Sequence, residues 1–285
     1  MQEVSIILPV YNEEKVIKQV LHKIKEVMEK TKWNYEIIAV DDGSRDATPT
    51  ILKEVEGVKI ITHPYNLGYG AALKTAIRAS SKKLILMMDA DGTYPTKDIP
   101  KLLSYTDKYD MVVGARTGKS VAIPLLRRPA KIFLTAMANF LAERKIPDLN
   151  SGMRVFKREI AEEFFHLFPK GFSFTTTITL ACLTNDYTVK YVPINYYKRK
   201  GKSTVHPIKD FFNFVTIIIR IIMYFKPLRF FLLPTVILFF GGIVYATYTM
   251  IVYNNITDSA MLFIISGVQL GFIGLLADLI AKTRR

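Results

Sequence analysis

Leu84-Ile85-Leu86-Met87-Met88-Asp89-Ala90-Asp91-Gly92-Thr93-Tyr94-Pro95 is an apolar run that ends in two carboxylates and then a Gly- and Pro-containing turn. A short unbroken apolar run with breakers after it reads as a buried strand. In an open α/β sheet, ligands bind beyond the carboxyl ends of the strands. Two acids separated by one residue can share a hard divalent cation, and such a cation commonly bridges phosphate oxygens. Asp89 and Asp91 are therefore candidate ligands of a metal-held diphosphate.

The same design recurs upstream. Tyr35-Glu36-Ile37-Ile38-Ala39-Val40 reads as a strand followed by Asp41-Asp42-Gly43-Ser44-Arg45-Asp46-Ala47-Thr48, where Ser44 or Asp46 can cap a helix through Thr50-Ile51-Leu52. Val4-Ser5-Ile6-Ile7-Leu8 is a strand, Pro9-Val10-Tyr11-Asn12 turns, and Val16, Val20, Ile24 and Val27 space a helix over Glu13 to Glu29. A fourth unit is Val58-Lys59-Ile60-Ile61, the loop Asn66-Leu67-Gly68-Tyr69-Gly70, and a helix from Ala71. Alternating strand and helix predicts an α/β fold with a mostly parallel sheet. Three strand ends then bring Tyr11, Asp41, Asp42, Asp89 and Asp91 to one edge.

The ordered motifs Val4 to Glu13, Val40 to Thr48, Asn66-Leu67-Gly68 and Asp89-Ala90-Asp91 resemble the inverting family 2 glycosyltransferases of the GT-A fold, over roughly residues 1–205. Asp148-Leu149-Asn150-Ser151-Gly152-Met153-Arg154 and Arg199-Lys200-Gly201-Lys202-Ser203 resemble the polyprenyl-phosphate subgroup, such as dolichyl-phosphate mannose synthase and its bacterial glucose-transferring relatives. The resemblance implies that Pro9, Tyr11, Glu13, Asp41, Asp42, Gly43 and Ser44 hold the nucleoside of a UDP- or GDP-hexose. It implies Asp89 near the ribose and sugar phosphate, and Asp91 on Mg2+ or Mn2+. Asp148 matches a position where many members carry a candidate base; here it could instead orient the sugar or a cation such as Arg154. Where mannose synthases often carry a metal-reaching Gln, this chain has Thr93, which favours UDP-glucose over GDP-mannose as donor.

A sugar hydroxyl must lose its proton during attack and calls for a general base. A phosphate monoester is already ionised, so a lipid phosphate needs cations more than a base. Arg116, Arg127, Arg128 and Lys131, with Arg199 and Lys202 in a Gly-containing loop, are the candidate cations, and Arg199 is expected to act at the transition state. Rival readings are a processive polysaccharide synthase and a catalytically silent nucleotide-sugar-binding membrane partner. The first usually carries a Gln-x-x-Arg-Trp signature, whereas the single Trp here is Trp33. The second need not retain all four acids.

Composition completes the reading. The chain has 285 residues, half of them hydrophobic, and a net charge of +14. The apolar excess lies at the end. Phe230 to Tyr253 holds no charged residue, and Ala260 to Ala277 is a second such run, so both are expected to span a membrane. Lys226 and Arg229 precede the first span and Lys282, Arg284 and Arg285 follow the second, which predicts cytoplasmic termini and catalytic domain. Met1 leads directly into a strand, with no signal segment expected. Residues 1–205 are the expected catalytic domain, 206–226 an amphipathic interfacial helix and 227–285 a two-helix anchor. The basic excess suits an anionic leaflet and anionic substrates. Nucleic acid is an improbable partner, since no binding motif accompanies the charge. Cys182 is single and in an apolar stretch, and reads as core.

Overall fold

A computed structural model describes residues 2–118, 143–171, 173–197 and 226–283, with isolated positions at 136, 139, 216, 219, 220, 223 and 224. The chain divides into two compact units, Met1–Val215 and Thr216–Arg285.

The first unit is built on a seven-stranded sheet. Its strands are β1 (Glu3–Val10), β2 (Asn34–Asp41), β3 (Lys59–Thr62), β4 (Leu84–Met87), β5 (Met111–Ala115), β6 (Arg154–Lys157) and β7 (Val189–Pro193), in the order β3-β2-β1-β4-β6-β5-β7. The chain runs outward from β1 to β3 and then returns to place β4 on the other side of β1. This is a topological switch, where open α/β sheets form their binding crevice. β1 pairs in parallel with β2 and β4, and β2 with β3. β6 is antiparallel to both β4 and β5, and β7 runs parallel to β5.

That one reversed strand decides what the site contains. Arg154, the first residue of β6, pairs with Met87, the last of β4. Because β6 runs backwards, the segment entering it (Asp148 to Met153) lies at the same edge as Asp89 and Asp91. β5 and β7 also end there, delivering Arg116 and Tyr196.

The helices are α1 (Ile17–Glu29), α2 (Thr48–Lys53), α3 (Tyr69–Ala79), α4 (Ile99–Leu103), α5 (Arg158–Glu163) and α6 (Phe174–Thr184). Ile17, Val20, Leu21, Ile24 and Met28 form one buried stripe on α1. Each side chain so buried contributes roughly 1.5–3 kcal/mol. The helix expected from Glu13 begins four residues later, at Ile17. The cause is the neighbouring loop: Asn12 has a positive φ of 54°, Glu13 N donates to Thr48 Oγ1 at 2.9 Å and Glu14 N to Asp46 Oδ2 at 3.3 Å. Those bonds hold the segment out of helical register. α6 is buried along its whole length, including Cys182, whose thiol burial holds in its neutral form.

The second unit is a hairpin of α7 (Pro227–Tyr253) and α8 (Asp258–Thr283). These helices have 27 and 26 residues, and an 18-residue stretch of each has a mean hydropathy of 2.0 and 2.1, so each is about 40 Å long and apolar enough to cross a membrane. Their outer faces are exposed, with Val244 at 70% and Ile251 at 78%. The helices touch through small residues. A Cβ on Gly267 would lie 2.7 Å from Phe239 N, and one on Gly242 would lie 2.9 Å from Ile264 N. Such approach of backbones drives helix pairing where no hydrophobic effect operates. The expected interfacial helix falls mostly outside the described residues.

Candidate active site

The first wall of the site is a pair of stitched loops after β1 and β2. Asn12 N donates to Ser44 Oγ at 2.9 Å, and Asn12 Oδ1 accepts from Arg45 N at 2.8 Å. Glu14 and Asp46 accept Ala47 N and Thr48 N, each at 3.0 Å; the N-cap of α2 is Ala47, which has no side-chain acceptor, so neither Ser44 nor Asp46 takes the expected cap position. Pro9, Tyr11, Gly43 and Ser44 are half-buried on this wall, and Glu13 is buried behind it. Asp41 is wholly buried. Its Oδ1 accepts Ser44 N at 3.0 Å, while its Oδ2 has no hydrogen-bond partner among the described residues. An orphaned buried acceptor costs free energy unless a donor arrives.

Asp42 is placed differently. Its Oδ1 accepts Leu67 N at 2.9 Å and lies 2.7 Å from His63 Nδ1, and its Oδ2 accepts Gly68 N at 2.8 Å. His63 Nε2 in turn meets Thr75 Oγ1 on α3 at 2.9 Å. The carboxylate thus ties the Asn66-Leu67-Gly68 loop and α3 to the end of β2.

The two acids after β4 are half-buried and each is gripped by a hydroxyl. Tyr69 OH donates to Asp89 Oδ1 at 2.7 Å. Thr93 Oγ1 donates to Asp91 Oδ1 at 2.6 Å, with Thr93 N adding a bond at 3.1 Å. Burial and the Asp89 charge hold the Tyr69 phenol far above its ordinary pKa, so it stays a donor. Tyr94 OH accepts Gly152 N at 2.6 Å, and a Cβ on Gly152 would collide with both carboxylate oxygens of Asp89. Only glycine lets this backbone approach the acid so closely.

Arg116 and Asp148 form the opposite wall. Asp148 is 2% exposed and accepts Arg116 Nε at 2.7 Å, Arg116 Nη2 at 2.8 Å and Arg116 N at 3.0 Å. Burial opposes the Arg116 cation, but the hydrogen bonds and charge of Asp148 outweigh it and raise its pKa. The guanidinium also lies over the Tyr196 ring, 5.1 Å from the centroid. The cation that Asp148 orients is therefore Arg116, not Arg154. Arg154 is wholly buried beneath the loop and donates to Ser151 O, Thr175 O and Thr179 Oγ1.

Asp89 and Asp91 offer hard carboxylate oxygens on one turn. Among the described residues no cluster of three or more Asp, Glu, His or Cys completes a cation shell. Mg2+ suits such a site, because it commonly takes one or two carboxylates and fills its remaining positions with phosphate and water. Arg127, Arg128, Lys131, Arg199 and Lys202 lie outside the described residues. Tyr69, Tyr94 and Tyr196 join the site unforeseen by motif spacing, since nothing in a tyrosine's sequence context reports which carboxylate it will face.

The glycosyl transferase family 2 profile matches residues 5–165, more than half the chain. The chain belongs to glycosyl transferase family 2. The profile of the GtrB C-terminal hairpin matches residues 226–283. A dolichyl-phosphate hexose transferase of Haloferax volcanii is 32% identical over 207 residues, covering 72% of this chain and 87% of the relative. An undecaprenyl-phosphate 4-deoxy-4-formamido-L-arabinose transferase of Pseudomonas fluorescens is 30% identical over 166 residues, or 56% of this chain and 48% of that one. Glucosyl-3-phosphoglycerate synthase from Mycobacterium tuberculosis, solved with Mn2+, UDP-glucose and phosphoglyceric acid, aligns with a TM-score of 0.60 at 17% identity. That match covers 77% of this glycosyltransferase and 79% of the synthase, and it establishes the GT-A fold. The two apolar helices of the hairpin suit insertion in a membrane.

Proposed function

We propose that this glycosyltransferase moves one hexose from a nucleotide sugar, UDP-glucose before GDP-mannose, onto polyprenyl phosphate with inversion at the anomeric carbon. The observation that carries the acceptor class is the state of Asp148. The carboxylate at the candidate-base position is buried and bound bidentately by Arg116. A group so engaged is a poor proton acceptor, and an acceptor that arrives ionised needs none. The relatives' names support a lipid-phosphate acceptor.

In this reading a carboxylate of the Asp41-Asp42 pair accepts an N–H of the nucleobase, and Pro9, Tyr11, Glu13, Gly43 and Ser44 shape the nucleoside wall. Asp89 and Asp91 would hold the divalent cation. A cation bound there would neutralise charge on the departing nucleoside diphosphate. A phosphate oxygen of the lipid attacks the anomeric carbon from the face opposite the leaving group, so one C–O bond forms as the other breaks. Arg116, positioned by Asp148 and Tyr196, and the basic residues Arg127, Arg128, Lys131, Arg199 and Lys202 hold the acceptor phosphate. The charge pattern around α7 and α8 supports a cytoplasmic side for this chemistry.

The test is nucleoside diphosphate release by the detergent-solubilised chain, with and without polyprenyl phosphate, for UDP- and GDP-hexoses. Release that rises with the lipid, together with a singly glycosylated product of inverted configuration, is expected. Release indifferent to the lipid, or a polymeric product, overturns the reading.

A further inference from the structure

The apolar helix α8 carries one carboxamide, Gln269. It lies about 2 Å from the helix midpoint, at about 1.5 Å of rise per residue. With α8 spanning a hydrocarbon core about 30 Å thick, either polar boundary is about 15 Å away. A glutamine side chain is far too short to snorkel that distance. Gln269 is exposed, and its amide has no hydrogen-bond partner among the described residues. Hydroxyls on α7 avoid this problem within their own helix: Thr247 Oγ1 donates to Ile243 O at 2.9 Å and Thr249 Oγ1 to Ala246 O at 3.1 Å. A carboxamide has two N–H donors and an acceptor oxygen, and leaving them unpaired in hydrocarbon is costly.

The direction of the side chain says where a partner must come from. At about 100° per residue, Gln269 points about 160° away from Gly267 and about 140° away from Gly274, the glycines against which α7 packs. Leu262, Ile265, Phe272 and Leu276 lie on the same side as Gln269, and all four are exposed. Together the five residues follow the alternating three- and four-residue spacing of a coiled-coil seam, with the amide in its middle. A single polar residue in such a seam fixes the register of pairing.

We propose that this face of α8 is an interface with a second copy of the chain, closed at its centre by a Gln269–Gln269 amide pair. This rests on the reading of the α7–α8 hairpin as a membrane anchor. Two copies inserted in the same orientation present α8 in parallel and at one depth. A two-fold axis along the membrane normal then sets Gln269 opposite Gln269. The amide is self-complementary, each side chain donating to the oxygen of the other. The flanking apolar residues interdigitate around it, and packing and interhelical hydrogen bonds are the forces that join helices in lipid. A lipid tail offers the amide neither donor nor acceptor.

The experiment reconstitutes the full chain in phosphatidylcholine vesicles over a series of lipid-to-protein ratios. Energy transfer between copies labelled at the N-terminus reads self-association. Gln269→Leu is expected to weaken association about tenfold, the scale of two interhelical hydrogen bonds in a bilayer, and Gln269→Asn to restore part of it. Oxidative cross-linking maps the face. Leu276→Cys should join two copies, whereas Leu275→Cys, almost equally exposed (57% against 59%) but about 100° round the helix, should not. The buried Cys182 stays out of the reaction. Gln269→Leu associating as tightly as wild type overturns the proposal, and so does equal cross-linking at positions 275 and 276. A wild-type chain that stays monomeric at every ratio also overturns it, and leaves the face to a different membrane protein. A chain washed from the vesicles at alkaline pH removes the anchor reading, and the proposal with it.

Discussion

Asp148→Asn separates a positioning role for this carboxylate from a base role. The substitution keeps the shape but removes the negative charge and turns one acceptor oxygen into an NH2 group facing the guanidinium. Arg116, whose side chain is 16% exposed, would then hold a largely buried charge without its partner. Removing one member of a buried ion pair costs about 3–5 kcal/mol. The remaining exposure and the Tyr196 ring put the expectation at the low end, about 3 kcal/mol. For a unit of this size 1 kcal/mol moves the melting temperature by about 2–4 °C, so a drop of about 6–12 °C follows. Trp33, packed against the core, gives a fluorescence signal for the melt. Replacing both partners by Met leaves no stranded charge and should recover at least half the loss. A normal melting temperature with abolished transfer in Asp148→Asn would refute the argument and make Asp148 a reacting group.

Asp91→Asn should lower transfer at least about a hundredfold, equivalent to roughly 2.7 kcal/mol in barrier, with little change in melting; full activity in EDTA would sink the metal assignment. Gly267→Leu should separate α7 from α8, because a Cβ there would already lie 2.7 Å from Phe239 N, well inside contact distance. The measure is distance between spin labels on the two helices, and an unchanged distance would contradict close backbone packing. Asp110 accepts bonds from Lys157 Nζ at 2.7 Å and Thr188 N at 2.8 Å, and these outweigh its burial to lower its pKa. A carboxylate with a lowered folded pKa stabilises the fold above its unfolded value of about 3.9, and that contribution is lost as pH falls through the folded pKa. Asp110→Asn should therefore melt lower than wild type at pH 7, with the gap closing as pH falls below the unfolded value of about 3.9 and through the lower folded one; a gap independent of pH would refute the linkage.

The sequence by itself determined the strands β1 to β4, the acids at their ends and the two long apolar helices. Each of these is written in local pattern: an unbroken apolar run, a breaker after it, a stretch of uncharged residues long enough to cross a bilayer. It also determined the family, because four motifs occur in order. The tertiary structure decided what the acids do. Asp41 and Asp42 are adjacent and chemically identical in sequence, yet among the described residues one keeps a buried oxygen without a partner and the other is bound on both oxygens. Alternating side-chain direction sends them to different neighbours, and those neighbours come from distant segments. The reversal of β6 was equally hidden, since an apolar strand carries no mark of its direction. That reversal brings Asp148 to Arg116, 32 residues apart in sequence, and lays Gly152 against Asp89. Pairings of this kind depend on how non-local strands close on one another, and no local pattern encodes them.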